Sequence, residues 1–123
     1  MLLEVSCLFF SQARSTNEIE MQALLEFKSQ VAENKREVLA SWNNSSPPCN
    51  WIGVRCGRKQ ERVISLDLGG FKLAGVISPS IGNLSFLRSL NLADNSFGSI
   101  IPREMGMLFR LQYLNMVGYN MRI

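Results

Sequence analysis

Histidine is absent from the 123 residues. Its absence removes the commonest general base, the Ser-His and Cys-His nucleophile pairs and the commonest zinc ligand. Cysteine is scarce, with Cys7, Cys49 and Cys56 only. A structural zinc site draws about four Cys or His ligands in two close pairs. Here one pair exists, Cys49 and Cys56, spaced more widely than a ligand pair and lacking the Cys-x-x-Cys redox spacing. No apolar run approaches the roughly 18 residues of a membrane span. Phosphate loops are also missing: "LGGFK" at Leu68–Lys72 does not match G-x-x-x-x-G-K-[ST], so its glycines read as turn residues. The G-x-G-x-x-G, V-A-I-K and H-R-D elements of a protein kinase do not occur. With neither a base nor a nucleophile constellation, the chain reads as a non-enzyme without cofactor or metal.

What is present is ordinary globular composition, 46% hydrophobic and 19% charged, at a length that suits one domain. Net charge is +3, and the excess gathers at Arg55, Arg58, Lys59 and Arg62, interrupted by Glu61. A nucleic-acid module carries a broader basic face with interleaved aromatics, so the cluster reads as a solvated loop. Cys49 and Cys56 read best as a disulfide, which places the chain in an oxidising compartment. Residues 1–13, "MLLEVSCLFFSQA", read as a residual secretory signal, with Ser11 and Ala13 as a small-x-small cleavage site that would also remove Cys7. No basic residue precedes its apolar stretch and Glu4 interrupts it, so the signal is weak. Asn43, Asn44 and Asn83 each begin an N-glycosylation sequon.

Residues 15–33 predict an amphipathic helix. Ser15, Thr16 and Asn17 suit its N-cap, and Ala23, Leu24, Phe27 and Val31 make one apolar stripe. A second helical turn is expected at Val38, Leu39 and Trp42, followed by the loop "NNSSPPCN". From Val63 the chain repeats with a 24-residue offset. Leu66, Leu90 and Leu114 align, as do Leu68, Leu92 and Met116, and Gly82 with Gly106. Around Leu90 the unit alternates leucine with polar residues, as in a short strand with one buried face. Asn95 follows in the turn, where a side-chain amide can bond neighbouring backbone groups.

"L-x-x-L-x-L-x-x-N-x-F-x-x-x-I-P" from Leu87 to Pro102 resembles the plant-type leucine-rich repeat. "ALLEFKSQV", followed by "LASWNNSSPPCNWIGVRC", resembles the N-terminal cap of plant leucine-rich-repeat receptor-like kinases, nearest the subgroup containing the immune receptor for bacterial elongation factor Tu. The resemblance covers residues 16 to 116. It implies an α/β fold, a leucine-rich-repeat solenoid with an N-terminal helical cap and a short parallel sheet on the concave face. Cap residues would be 14–62, and two and a half repeats would follow at 63–86, 87–110 and 111–123. Cys49 and Cys56 match the cap's disulfide. Trp42 and Trp51 match its aromatic positions over the first repeat, and Gly53 the point where the cap passes its neighbour closely.

A family member binds a protein or peptide ligand or a partner receptor through the concave face. Here the outward positions are Ser65, Asp67, Ser89, Asn91, Tyr113 and Asn115, with Arg88 beside them. The implied function is non-catalytic recognition by part of a receptor ectodomain related to plant immune or signalling perception, secreted if the signal works, with the plasma membrane as the site of the full-length family. The alternatives are a secreted short repeat protein that binds a partner receptor, and a non-functional gene fragment. Two departures stand out. Tyr119 occupies the position of the repeat asparagine, with Asn120 one residue late, and Leu111, Leu114 and Met116 are expected to form an uncovered apolar edge.

Overall fold

The computed structural model describes residues 16–98 and 100–117. The signal-like residues 1–13 with Cys7, the capping candidate Ser15 and the register break at Tyr119 and Asn120 lie outside the described residues.

Helix α1, Thr16–Ser29, buries Ala23, Leu24 and Phe27 along the expected stripe. It ends sooner than the periodicity predicts, because tertiary pairing claims the next backbone groups. Val31 forms an antiparallel bridge with Gly75. Ala32 N–H donates to the Ala74 carbonyl at 2.7 Å, and Val76 N–H to the Gln30 carbonyl at 3.0 Å. Gly75 permits this approach with φ +122°; a Cβ there would lie 2.2 Å from the Gln30 carbonyl oxygen. The expected second helical turn is a 3-10 helix, η1, at Glu33–Leu39, and it delivers Leu39 and then Trp42 into the core.

Four strands form the main sheet in the order β1 (Val54–Cys56), β2 (Val63–Asp67), β4 (Ser89–Asn91) and β6 (Tyr113–Asn115). β2, β4 and β6 run parallel, pairing Ser65 with Ser89 and Tyr113, Leu66 with Leu90 and Leu114, and Asp67 with Asn91 and Asn115. The 24-residue offset is therefore the strand register itself. β1 runs antiparallel to β2 and closes that side of the sheet with a hairpin. Opposite lies a two-stranded parallel sheet of β3 (Ala74–Gly75) and β5 (Ser96–Phe97). The chain returns between the sheets through short 3-10 turns at Pro79–Asn83 and Arg103–Met107.

Leu66, Leu68, Leu73, Ile77, Ile81, Leu84, Leu87, Leu90 and Leu92 fill the space between the two sheets. Each layer is buried by the one beside it, the cap against the first coil and coil against coil beyond, as in any solenoid. At the cap end Trp42 stacks on Trp51 with centroids 5.6 Å apart, and Phe27 meets Trp42 at 6.2 Å and Phe97 at 5.7 Å. Both indole N–H groups find carbonyls, Trp42 at Ile52 (2.9 Å) and Trp51 at Ser46 (3.1 Å), so each buried ring keeps its polar handle satisfied. Cys49 and Cys56 are disulfide-bonded, with Cα atoms 5.5 Å apart. Closing a loop of this length stabilises the fold by about 2.5 kcal/mol in the chain-entropy picture.

Two buried polar groups tie the layers together. Asn95 sits in the turn after β4. Its Oδ1 accepts from Leu73 N–H at 2.7 Å, and its Nδ2 donates to the carbonyls of Leu68, Leu92 and Ala93 at 2.9–3.1 Å. Glu20, on α1, accepts from Arg62 Nε at 3.0 Å and from Val63 N–H at 3.1 Å, joining helix to sheet across 42 residues of sequence. Its burial raises the carboxyl pKa above the ordinary 4.5, against the lowering effect of the Val63 and Arg62 hydrogen bonds.

At the far edge Leu114 is 49% exposed and Leu111 half-buried, while Phe109 and Val117 beside them are exposed. Met116 departs from expectation and joins the core at 5% exposure; an unbranched, adaptable side chain suits a gap at the end of a core.

Candidate functional site

The strands β2, β4 and β6 present one set of side chains to the core and the alternate set to the open face. The open set forms two rows. One is Ser65, Ser89 and Tyr113; the other is Asp67, Asn91 and Asn115. The structure thus brings these six residues together, and Arg88 stands beside them, exposed. Tyr113 and Asp67 are exposed, and Ser89, Asn91 and Asn115 are half-buried.

Ser65 is the exception: it is buried, 7% exposed. β2 is flanked on both sides, with Arg55 of β1 and Ser89 of β4 opposite Ser65, and a short hydroxymethyl group does not rise above such neighbours. A ligand on this face would therefore meet the other residues rather than Ser65.

The second row has a structural task as well. Asp67 Oδ1 accepts from Gly69 N–H at 3.1 Å, Asn91 Oδ1 from Ala93 N–H at 3.0 Å and Asn115 Oδ1 from Val117 N–H at 3.1 Å. Each is an Asx-type turn that steers the chain out of its strand. One oxygen of each side chain is spent in this way. The Nδ2 of Asn91 and the second oxygen of Asp67 make no hydrogen bond among the described residues, and Asn115 Nδ2 reaches the Tyr113 hydroxyl at 3.3 Å.

The sequon asparagines lie elsewhere. Asn43 and Asn44 are exposed in the loop before the disulfide, and Asn43 folds back, donating to the Ala40 carbonyl at 2.9 Å and accepting from Ser45 N–H at 2.8 Å. Asn83 is exposed beside α1, where Glu18, Gln22 and Glu26 line a shallow recess with it.

One group escaped the sequence reading. The turn joining β1 to β2 packs Arg62 against Phe86, with the guanidinium carbon 4.2 Å from the ring centroid, and Arg110 approaches the same ring at 4.2 Å. The basic cluster on that turn therefore borders an aromatic residue from the next coil. The cluster's charge was visible in sequence; its juxtaposition with Phe86, more than 20 residues away, was not.

A helical cap sealed by a disulfide, followed by parallel coils in 24-residue register, defines a capped leucine-rich-repeat solenoid. The Leucine rich repeat N-terminal domain family matches residues 18–57 and the Leucine Rich Repeat family residues 86–108. The chain belongs to the leucine-rich-repeat proteins, and it is similar in sequence and fold to the ectodomain region of plant receptor kinases. It is 78% identical over 113 residues to the LRR receptor-like serine/threonine-protein kinase EFR of Arabidopsis thaliana, a match covering 91% of this chain and 11% of that protein. Its fold is similar to the BIR2 ectodomain of Arabidopsis thaliana (TM-score 0.70, 30% identity, 81% of this chain and 54% of that one). It is also similar to the Arabidopsis receptor kinase HAESA, solved with the peptide hormone IDA and the co-receptor SERK1 (TM-score 0.68, 30% identity, 77% and 16%). The chain spans about a tenth of the length of the curated relatives it matches. No helix among the described residues is long and apolar enough to cross a membrane.

Proposed function

We propose that this chain forms the N-terminal end of a non-catalytic recognition surface for an extracellular peptide or a partner receptor. The observation that carries the reading is the open face, where Tyr113 of one row stands beside Asp67, Asn91 and Asn115 of the other, held in register on a parallel sheet. Such a surface is pre-organised, so a ligand strand laid across it orders few protein groups on binding. The likeness to receptor ectodomains, one of them solved with a peptide hormone and a co-receptor, supports this reading, and the disulfide and the exposed sequons suit an extracellular setting. The ordering of residues into a cap (14–62) and coils (63–123) is part of the same proposal.

The test is selection of a phage-displayed random peptide library on the purified chain, with Asn91→Arg and Tyr113→Ala variants as counter-screens. Selected peptides should lose about tenfold or more in affinity to the variants, since a tyrosine anchor carries much of the binding energy at such interfaces and a bulky charge at Asn91 obstructs the strand face. Peptides that bind wild type and both variants equally would refute a role for this face.

A further inference from the structure

We infer that a second site lies at the flank of this surface and takes the acidic segment of an extended peptide. The inference rests on the recognition reading above and adds to it the chemistry of the bound segment. An open cleft of about 370 Å³ is lined by Arg58, Lys59, Arg62, Ile64, Phe86 and Arg88 among others, and no carboxylate lines it. Its volume falls in the range of ordinary ligand pockets. The Arg88 N–H donates to the Ile64 carbonyl at 2.8 Å, so these two residues sit side by side on adjacent coils.

The cations of the cleft are not equivalent. Arg62 is committed: Glu20 takes its Nε, the Ser85 hydroxyl takes its Nη2 at 3.1 Å, and its plane packs on Phe86. The side chains of Arg58, Lys59 and Arg88 are exposed and make no hydrogen bond or ion pair among the described residues. Glu20, the carboxylate behind the cleft, is 1% exposed and already paired, and Glu61 on the same turn does not line the cleft.

Three uncompensated cations thus ring a floor of half-buried Ile64 and Phe86. Guanidinium groups on Phe86 hold its ring in place, so the floor is fixed before any ligand arrives. This arrangement fits a peptide in which carboxylates flank one apolar side chain. The apolar residue would sit on Ile64 and the edge of Phe86, and the carboxylates would reach Arg88 on one side and Arg58 and Lys59 on the other. Arg88 also borders the strand face, so one extended peptide can run from the cleft onto Asn91.

Fluorescence anisotropy with a labelled Asp-Glu-Leu-Asp-Glu peptide tests this, with Asn-Gln-Leu-Asn-Gln as the uncharged control. The acidic peptide should bind saturably, and at least about tenfold more tightly than the control. Arg88→Glu and the Arg58→Glu, Lys59→Glu pair should each weaken it about three- to tenfold at unchanged melting temperature, and raising salt to about 0.5 M should weaken it comparably. These positions are exposed, so the variants are expected to fold. Absence of saturable binding, equal affinity of wild type and the charge-reversal variants, or equal binding of a heparin oligosaccharide would overturn the inference. If it is overturned while library peptides still depend on Asn91 and Tyr113, the recognition reading stands and the cleft falls alone.

Discussion

Replacing Asn95 with alanine removes a single side chain that serves four backbone groups from two coils. The losses are unequal. The Ala93 carbonyl keeps the Gly70 N–H at 2.9 Å, and the Leu68 carbonyl keeps the Phe71 N–H at a long 3.3 Å. Leu73 N–H has no replacement among the described residues. Leaving that buried donor unpaired costs about 2 kcal/mol, and the small void with the weakened Leu68 carbonyl adds about 1 kcal/mol. Urea unfolding followed by far-UV circular dichroism should therefore show about 3 kcal/mol of destabilisation at constant m-value. Asn95→Asp sharpens the test. It keeps the acceptor for Leu73 but turns a carboxylate toward three carbonyls, so burial and repulsion raise the carboxyl pKa in the folded state. Stability of the aspartate variant should then be greatest at low pH, where the acid supplies an O–H donor, and fall as pH rises through the raised pKa. A loss below about 1 kcal/mol for alanine, or a pH-independent aspartate variant, would refute the view that Asn95 joins the coils.

Glu20 carries a related pH signature. Its folded pKa lies above 4.5 because of burial, so the folded state holds its proton more tightly than the unfolded chain. Its contribution is fully present below 4.5 and is lost as pH rises through the folded pKa. The stability difference between wild type and Glu20→Gln should shift in that direction across the window, and a flat difference from pH titration of the melts would remove the premise. At Gly53 φ is +78° and a Cβ would lie 2.7 Å from the Asp67 carbonyl oxygen. Gly53→Ala should cost about 2 kcal/mol or more, read as a lowered urea midpoint, and an unchanged midpoint would show that the cap does not depend on that close pass.

The parts of the fold that rest on repetition were legible from residue types alone. Leu66, Leu90 and Leu114 align in sequence because they align in space, one coil above another. The same holds for Asp67, Asn91 and Asn115, whose polar character marked the open face. Contacts with no period left no such trace. The Val31–Gly75 bridge shortened α1, and nothing local in "SQVAEN" announces that its backbone pairs with β3, more than 40 residues away. Nothing local marks Glu20, an acidic residue early in α1, as the anchor of Arg62. Ser65 shares its residue type with Ser89, yet β1 beside it makes one buried and leaves the other half-open. Arg58 and Lys59 were visible only as charge and Arg88 only as a neighbour of the strand face; the cleft they border needed the hairpin and the second coil brought together.

The hairpin of β1 on β2 gives the sheet a direction. On that side the strand order is closed by an antiparallel partner and by the aromatic stack of Phe27, Trp42 and Trp51. On the other, β6 is the edge strand among the described residues, in the parallel register that β2 and β4 already use. A stack sealed at one end behaves like a thread wound from a fixed spool. Adding or deleting a 24-residue coil changes its reach but not its origin, so every partner contact made near the cap keeps its coordinates while the rest of the surface lengthens or shortens.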